Sequence, residues 1–386
     1  MMERLRVLHI TTQLLPHGGI EQNLHLLAQR LDSDRFEMAI CPIQNARSNI
    51  PASFHTLPVK LFPLNRRGAI YDLFTTLSLW RLVRTYRPHI VHTHNNKANF
   101  HGRMAAWLFG RAGLVTTHHD MGDWRVAFGQ PFRWTTLSKI DNWVEQIIYP
   151  WCNVRMNRLN HRLIAVSHAV AAIEGDSQAD PRLRILPAPY DEHLFQPTSS
   201  PVSFQARLGT VGRLVWQKGL PVLLEALALV ASQKPMVTLR IAGDGPLMSS
   251  LRQRASGSDL QGRVLFMGSQ SHNDTLYQGL DIYLQPSLFE GSSMTTVEAM
   301  AMGLPVIASR TGGLAELVVD GETGLLVPAN DPIALSAAIV SLLNNPEQAR
   351  RLGQAGQKRA QALYTASRYI EQISTLYRQV VREVCP

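Results

Sequence analysis

The sequence predicts an α/β protein of two Rossmann-like domains, each a mostly parallel sheet flanked by helices. Three observations carry this expectation. Short apolar, β-branched runs alternate with helix-patterned stretches through both halves of the chain, the rhythm of βαβ units. A Pro- and Ser-rich stretch without periodicity, PAPYDEHLFQPTSSPVS at 187–203, separates two such series. The 386 residues suit two domains of roughly 100–200 residues each.

In the first series, Val7 to Thr11 reads as a buried strand ending at the Pro16-His17-Gly18-Gly19 turn. Ile20, Leu24, Leu27, Ala28 and Leu31 then mark one apolar helix face. Residues 37–41, 89–93, 114–117 and 163–166 are further buried strands. In the second series 208–212, 238–242, 264–267, 282–285 and 306–309 read as strands, each followed by a loop and a helical stretch. From Asp331 the pattern is helical, with Ile333, Leu335, Ala338, Ile339 and Leu342 on one broad face. Such a terminal run can pack back across the first domain. The expected domains are therefore 1–193, rejoined by 367–386, and 194–366. Two such domains facing each other place a ligand cleft at the C-terminal ends of their strands, so the chemistry is sought in those loops.

Composition narrows the class. With 45% apolar and 17% charged residues, the chain is neither disordered nor fibrous. Cys41, Cys152 and Cys385 form no CxxC pair, which excludes a disulfide framework or thiolate metal site and fits a reducing cytoplasm. Arg6, His9 and Thr11-Thr12-Gln13 interrupt the apolar stretch a signal peptide needs, and no window approaches 18 uninterrupted apolar residues. The expectation is a cytoplasmic protein, soluble or peripheral at the inner face of the membrane. The net charge of +9 points to an anionic partner, with phosphate, lipid headgroup and nucleic acid all open. Most of the excess is N-terminal: residues 1–193 hold 22 Lys+Arg against 15 Asp+Glu, and 13 of the 14 His.

The sharpest motif is Ser287-Leu288-Phe289-Glu290-Gly291-Ser292-Ser293-Met294-Thr295-Thr296-Val297-Glu298-Ala299-Met300. It follows a strand, turns at Gly291, can be capped by Ser292 or Ser293, and continues as a helix to near Gly303. The start of such a helix offers free N–H groups and a positive dipole end to a phosphate. Glu290 before the helix and Glu298 more than a turn into it can reach different hydroxyls of one elongated ligand. An ordinary N-capped helix with two solvated Glu residues has the same pattern.

The Glu-x7-Glu spacing within PSLFEGSSMTTVEAMAMGLPVIAS resembles the donor-sugar signature of family-four glycosyltransferases, also termed glycosyl transferases group 1, retaining enzymes of the two-Rossmann GT-B fold. Val211-Gly212-Arg213-Leu214 with Lys218-Gly219-Leu220, the turn Ile241-Ala242-Gly243-Asp244-Gly245-Pro246, and 312–327 are similar to further stretches of that family in the same order. The resemblance implies that Arg213 and Lys218 hold the donor diphosphate, whose charge grows as the glycosidic bond breaks. It implies that Glu290 binds the donor sugar, Glu298 the ribose, and the amides at Ser293, Met294 and Thr295 the phosphate. The loop after residues 264–268 then holds the base through its backbone. Gly18-Gly19 resembles the family's N-terminal glycine loop, which closes over the donor phosphates, and glycine there permits close approach and positive φ. His119, within His118-His119-Asp120, matches a family position near acceptor and donor sugar; a loop histidine satisfied by backbone is the other reading. Two departures stand out. Ala188-Pro189-Tyr190-Asp191 replaces the usual Asn-Gly pattern, and Ser292-Ser293 stands where Phe-Gly or Leu-Pro is common.

His92-x-His94 shares one strand face and can cluster with His118 and His119, but no carboxylate or Cys completes a metal-ligand spacing. Asp32-Ser33-Asp34 looks like the DxD of metal-dependent transferases but lies in a helix-to-strand turn. No cofactor or metal is expected. Trp124, Trp134, Trp143 and Trp151 interleave with Arg125, Arg133, Lys139, Arg155 and Arg158, a mixture that suits anionic membrane, a sugar-stacking lid, or plain packing. Nucleic acid is disfavoured, since no aromatic-basic recognition module is visible.

The expected protein is thus a metal-independent retaining hexosyltransferase. It would move sugar from a nucleoside diphosphate sugar to a carbohydrate or lipid-linked acceptor in cell-envelope polysaccharide, lipopolysaccharide or glycolipid synthesis. A nucleotide-sugar epimerase and a non-catalytic nucleotide-sugar binding subunit are the alternatives. Donor sugar and base, acceptor and linkage are not written in the motifs.

Overall fold

The computed structural model describes residues 4–15, 18–66, 72–119, 155–173, 179–197, 204–270 and 274–384. The chain divides into two units, Met1–Pro187 with Tyr369–Pro386, and Ala188–Arg368. The division falls ahead of the expected boundary at 193 because Tyr190 already pairs within the second unit. Its N–H donates to the Tyr364 carbonyl at 2.9 Å, and its own carbonyl accepts from the Ala366 N–H at 3.0 Å.

The first unit is a seven-stranded parallel sheet of order β3-β2-β1-β4-β5-β6-β7. Its strands are β1 Leu5–Thr11, β2 Phe36–Pro42, β3 Lys60–Leu61, β4 Ile90–His94, β5 Gly113–His118, β6 Arg162–Ala165 and β7 Leu183–Ile185. β4 and β5 are buried along their whole length, which their apolar and β-branched residues reflect, although His92, His94 and His118 are buried there too. The edge strands β3 and β7 are too short and too exposed for any apolar run to announce them. On one face Leu8, Ile10, Val91 and Leu114 pack against Leu79, Val83, Ala98 and Ala105 of the helices Leu73–Tyr86 and Asn96–Phe109. On the other, Val7, Ile90, Val115 and Ile164 meet Tyr369, Ile373, Tyr377 and Val380 of the last helix, Ala366–Val384. Those four recur at helical spacing, so one stripe of that helix completes the core. A Cβ at Gly113 would lie 2.2 Å from Val380 Cγ1, so glycine there admits the helix.

The second unit is a six-stranded parallel sheet of order β10-β9-β8-β11-β12-β13. It comprises β8 Arg207–Val211, β9 Thr238–Ala242, β10 Val264–Gly268, β11 Ile282–Gln285, β12 Val306–Ser309 and β13 Leu325–Val327. Leu208, Leu239, Ile241, Ile282, Leu284 and Ile307 face Leu223, Leu227, Leu335 and Ile339. Val211, Tyr283, Val306 and Ala308 face Tyr277, Val297, Met300 and Leu314.

Both sheets start at an inner strand, run outward on one side, and resume on the other side of that strand. The switch lies between β1 and β4 in the first and between β8 and β11 in the second. In open parallel sheets the loops leaving the C-terminal ends at such a switch diverge and leave room for a ligand. No helix among the described residues is long and apolar enough to cross a membrane.

Candidate active site

At the switch of the second unit, the loop after β8 carries Lys218 and the loop after β11 carries Glu290. Lys218 Nζ lies 2.5 Å from Glu290 Oε2, and the two side chains keep only 16% and 10% of their surface exposed. A buried polar ladder supports the carboxylate from below. Tyr283 Oη donates to Gln285 Oε1 at 2.7 Å, Gln285 Nε2 to Ser287 Oγ at 2.8 Å, and Ser287 Oγ to Glu290 Oε2 at 3.3 Å. Two charges so far from water persist because each has its partner. Arg213, on the same loop as Lys218, is exposed and makes no side-chain hydrogen bond among the described residues. The structure therefore joins Lys218 to Glu290 and leaves Arg213 open to an incoming anion.

Backbone packing holds these loops. Gly243, after β9, has φ +136°, and a Cβ there would sit 1.9 Å from the Gly212 carbonyl oxygen. Gly219, at φ +64°, would place one 1.9 Å from the Pro286 oxygen, tying the Lys218 loop to the strand that leads to Glu290. In both cases rigid backbone occupies the space. Gly243→Ala is expected to cost about 2 kcal/mol or more, read as a lower Tm by calorimetry. An unchanged Tm would mean that the loops can separate freely.

Ser293 caps the helix Met294–Ala301, its Oγ accepting from Thr296 N–H at 3.3 Å. Ser292 does not cap; its Oγ accepts from Ala188 N–H at 3.4 Å. The amides of Ser293, Met294 and Thr295 make no hydrogen bond among the described residues, so they and the dipole can meet an anion. Deeper in the helix, Glu298 is 4% exposed and its Oε2 accepts from Tyr277 Oη at 2.7 Å. Burial pushes its carboxyl up from 4.5 to about 7, while the Tyr277 hydroxyl pulls the other way. The two carboxylates of the motif thus sit in different states: Glu290 is ion-paired at the mouth, and Glu298 is close to half-protonated at neutral pH.

In the first unit, Gly18 precedes the helix Gly19–Arg30 with φ −86°, so the positive φ that glycine permits is not used there. A Cβ there would fall 1.8 Å from Glu21 Oε2, the far end of a flexible side chain, so a larger residue would have to displace that carboxylate. Glu21 folds back and accepts from Leu15 N–H at 3.1 Å through Oε1. His118 shares its face of β5 with Thr116, to which Arg103 of the helix Asn96–Phe109 donates, and burial holds its pKa well below normal. His119 Nε2 lies 3.1 Å from His94 Nδ1, and His94 Nε2 lies 3.0 Å from His9 Nδ1. Burial lowers His119 to about 4, so its imidazole is neutral at pH 7. His118 does not join this cluster, but His9 does. No spacing announces His9, because only the β1–β4 register sets it opposite His92.

Asp32-Ser33-Asp34 forms a local turn, with Asp34 N–H donating to Asp32 Oδ1 at 3.0 Å and Arg35 3.2 Å from Asp32 Oδ2. Trp124, Trp134, Trp143, Trp151, Arg125, Arg133, Lys139 and Asp120 lie outside the described residues, as do residues 271–273 of the loop after β10.

Comparison with known proteins agrees with this geometry. Residues 17–193 match the family described as Glycosyltransferase Family 4, and residues 201–359 match Glycosyl transferases group 1. Glycogen synthase of Mycobacterium tuberculosis is 28% identical, over 92% of this chain and 90% of its own. The UDP-Gal:alpha-D-GlcNAc-diphosphoundecaprenol alpha-1,3-galactosyltransferase of Escherichia coli is 26% identical over 72% of each. The crystal structure of Anabaena HepE in complex with UDP and glucose superposes with a TM-score of 0.79 at 21% identity, covering 97% of this chain and 100% of that one. The last likeness establishes the two-domain GT-B fold.

Proposed function

Because the chain belongs to the family-four glycosyltransferases, we propose that it is a retaining enzyme moving a hexose from a nucleoside diphosphate sugar to an acceptor hydroxyl in cell-envelope polysaccharide or glycolipid synthesis. The observation that carries this reading is the Lys218–Glu290 pair beside the capped helix at the β8/β11 switch. A diphosphate approaching there meets Lys218, Arg213 and the amides of Ser293, Met294 and Thr295, all positive. Glu290 is left to accept hydrogen bonds from the sugar. In the first unit, His119 and the Gly18-Gly19 turn are assigned to the transferred sugar and phosphates.

The reaction breaks the bond between C1 and the phosphate oxygen and forms one between C1 and the acceptor oxygen on the same face. The acceptor's proton passes to the leaving diphosphate, and the fixed cations take up the charge that develops on it. Relatives support the choice of donor and acceptor classes: the Escherichia coli enzyme is named for a UDP-galactose donor and a diphosphoundecaprenol acceptor, and HepE is bound to UDP. The positive charge comes from side chains and amides, so turnover is expected to be unchanged by a chelator.

The experiment is a thermal-shift screen of nucleoside diphosphate sugars, followed by transfer assays with the donor that stabilises. Arg213→Ala is expected to weaken donor affinity about tenfold with no change in Tm, because its exposed side chain makes no hydrogen bond or ion pair among the described residues. Unchanged calorimetric affinity in the Arg213→Ala, Lys218→Ala double variant would count against the phosphate role.

Peripheral membrane contact is part of the proposal. On the helix Leu73–Tyr86, Leu73 and Phe74 are 67% and 66% exposed, with the exposed Arg81 and Arg84 two turns further along. Apolar and basic groups arranged in this way suit an anionic bilayer surface. Sedimentation with anionic vesicles should show binding that salt abolishes and that neutral vesicles do not support.

A further inference from the structure

Three buried histidines of the first unit, His9, His92 and His94, connect with the half-buried His119 into a single file. His92 Nε2 lies 2.7 Å from Thr117 Oγ1 and His92 Nδ1 2.6 Å from Tyr377 Oη. Tyr377 Oη is 3.5 Å from His9 Nε2, the longest step. His9 Nδ1 then meets His94 Nε2 at 3.0 Å, and His94 Nδ1 meets His119 Nε2 at 3.1 Å. Burial drives His9 to about 3, His119 to about 4, and His92 and His94 well below their ordinary value. Each ring is therefore neutral and carries one N–H, and each link needs one proton.

The direction of the file follows from its inner end. Thr117 is 1% exposed, and among the described residues its hydroxyl bonds to His92 alone. Were His92 Nε2 the donor, the Thr117 proton would be buried without an acceptor, the costlier error for a polar group. Thr117 Oγ1 must donate to His92 Nε2. His92 Nδ1–H then donates to Tyr377, Tyr377 to His9 Nε2, His9 Nδ1–H to His94 Nε2, and His94 Nδ1–H to His119 Nε2. The proton of His119 is left on Nδ1, which has no partner among the described residues.

We infer that Thr117, His92, Tyr377, His9 and His94 are positioning residues that fix the proton of His119 on Nδ1, so that this ring presents a hydrogen-bond donor to the substrate. The inference rests on the placement of His119 in the active site made above. A metal centre on His9, His92 and His94 is the rival. Their ligand atoms lie within 4.8 Å of one another, close enough to converge on one ion. Against it, the ring nitrogens of all three already have partners in the file.

The test is long-range proton–nitrogen correlation NMR of the full chain labelled with ¹⁵N-histidine, at neutral pH. His9, His92, His94 and His119 should all be Nδ1–H tautomers, the less common form of free imidazole. An Nε2–H form at any of the four overturns the inference, and so does tight binding of one equivalent of zinc that displaces these signals. His94→Leu should release His119 to Nε2–H and lower kcat about tenfold, the loss of one hydrogen bond, with donor KM unchanged. His94→Asn, whose amide can donate from the same place, should restore both tautomer and kcat. If the leucine variant does not fold, the wild-type tautomers and the asparagine variant still decide. Wild-type turnover in His119→Ala would remove His119 from the active site while the tautomers stood. Nε2–H tautomers would remove the file whatever the turnover.

Discussion

Glu290→Gln is expected to lower sugar transfer by about 100-fold or more while the protein folds and still binds nucleoside diphosphate. The substitution keeps the side chain's volume and an oxygen for Ser287 and Lys218, so the ladder Tyr283–Gln285–Ser287 remains satisfied. It removes the negative charge that accepts from the sugar hydroxyls and that lies 2.5 Å from Lys218 Nζ. Lys218 then faces the diphosphate without a competing carboxylate. Affinity for the nucleoside diphosphate alone should hold or rise, while affinity for the nucleotide sugar and the rate of transfer fall. This opposite movement separates a sugar-binding role from a structural ion pair. If Glu290 only held Lys218 in place, the glutamine variant would lose diphosphate affinity and Tm together and transfer would follow them. Transfer within threefold of wild type would remove Glu290 from the reaction.

The parts of this site that could be read from sequence are local ones. A strand, a glycine turn, a serine cap and a helix succeed one another within residues 282–301, so Glu290, Ser293 and Glu298 keep their relative places in any fold that forms those elements. Long-range partners leave no such mark. Tyr277 meets Glu298 only because its side chain enters the core that Val297 and Met300 share, and nothing in the spacing of the two residues indicates it. Tyr377 reaches His92 from the last helix, which reads as a plain amphipathic stripe. The chemical state of Glu298 was hidden for the same reason. Two glutamates eight residues apart look alike until burial is known. The β1–β4 pairing is a matter of register, and it sets His9 beside His92. The strands that the apolar runs leave unmarked, β3, β7 and β13, are two- or three-residue pieces at the sheet edges, too short for a pattern to show.

Glu298→Gln is expected to stabilise the protein above neutral pH and to weaken nucleotide binding in the same range. The folded carboxyl holds its proton to about pH 7, whereas in the unfolded chain it ionises near 4.5. Below 4.5 both states are protonated and the group adds no pH-dependent term. As pH rises from 4.5 to 7 the unfolded chain binds fewer protons than the folded one, so stability declines, and above 7 the full cost of about 3 kcal/mol is present. Glutamine carries no charge and can still accept from Tyr277, so its variant should melt higher near pH 8 and match the wild type toward pH 4.5. Ribose hydroxyls prefer the ionised carboxylate. Nucleotide affinity of the wild type should therefore rise between pH 6 and 8, and binding at pH 7 should release up to about half a proton per site, measurable by calorimetry in buffers of different ionisation enthalpy. Both signals should vanish in the variant, whose affinity should fall about tenfold at pH 8. A variant that melts higher at pH 8 but binds nucleotide as tightly as wild type would make Glu298 a strained core residue and leave the ribose to other groups. Equal melting of the two proteins across the whole range would mean that Glu298 ionises freely in the folded state, with water reaching it past Tyr277.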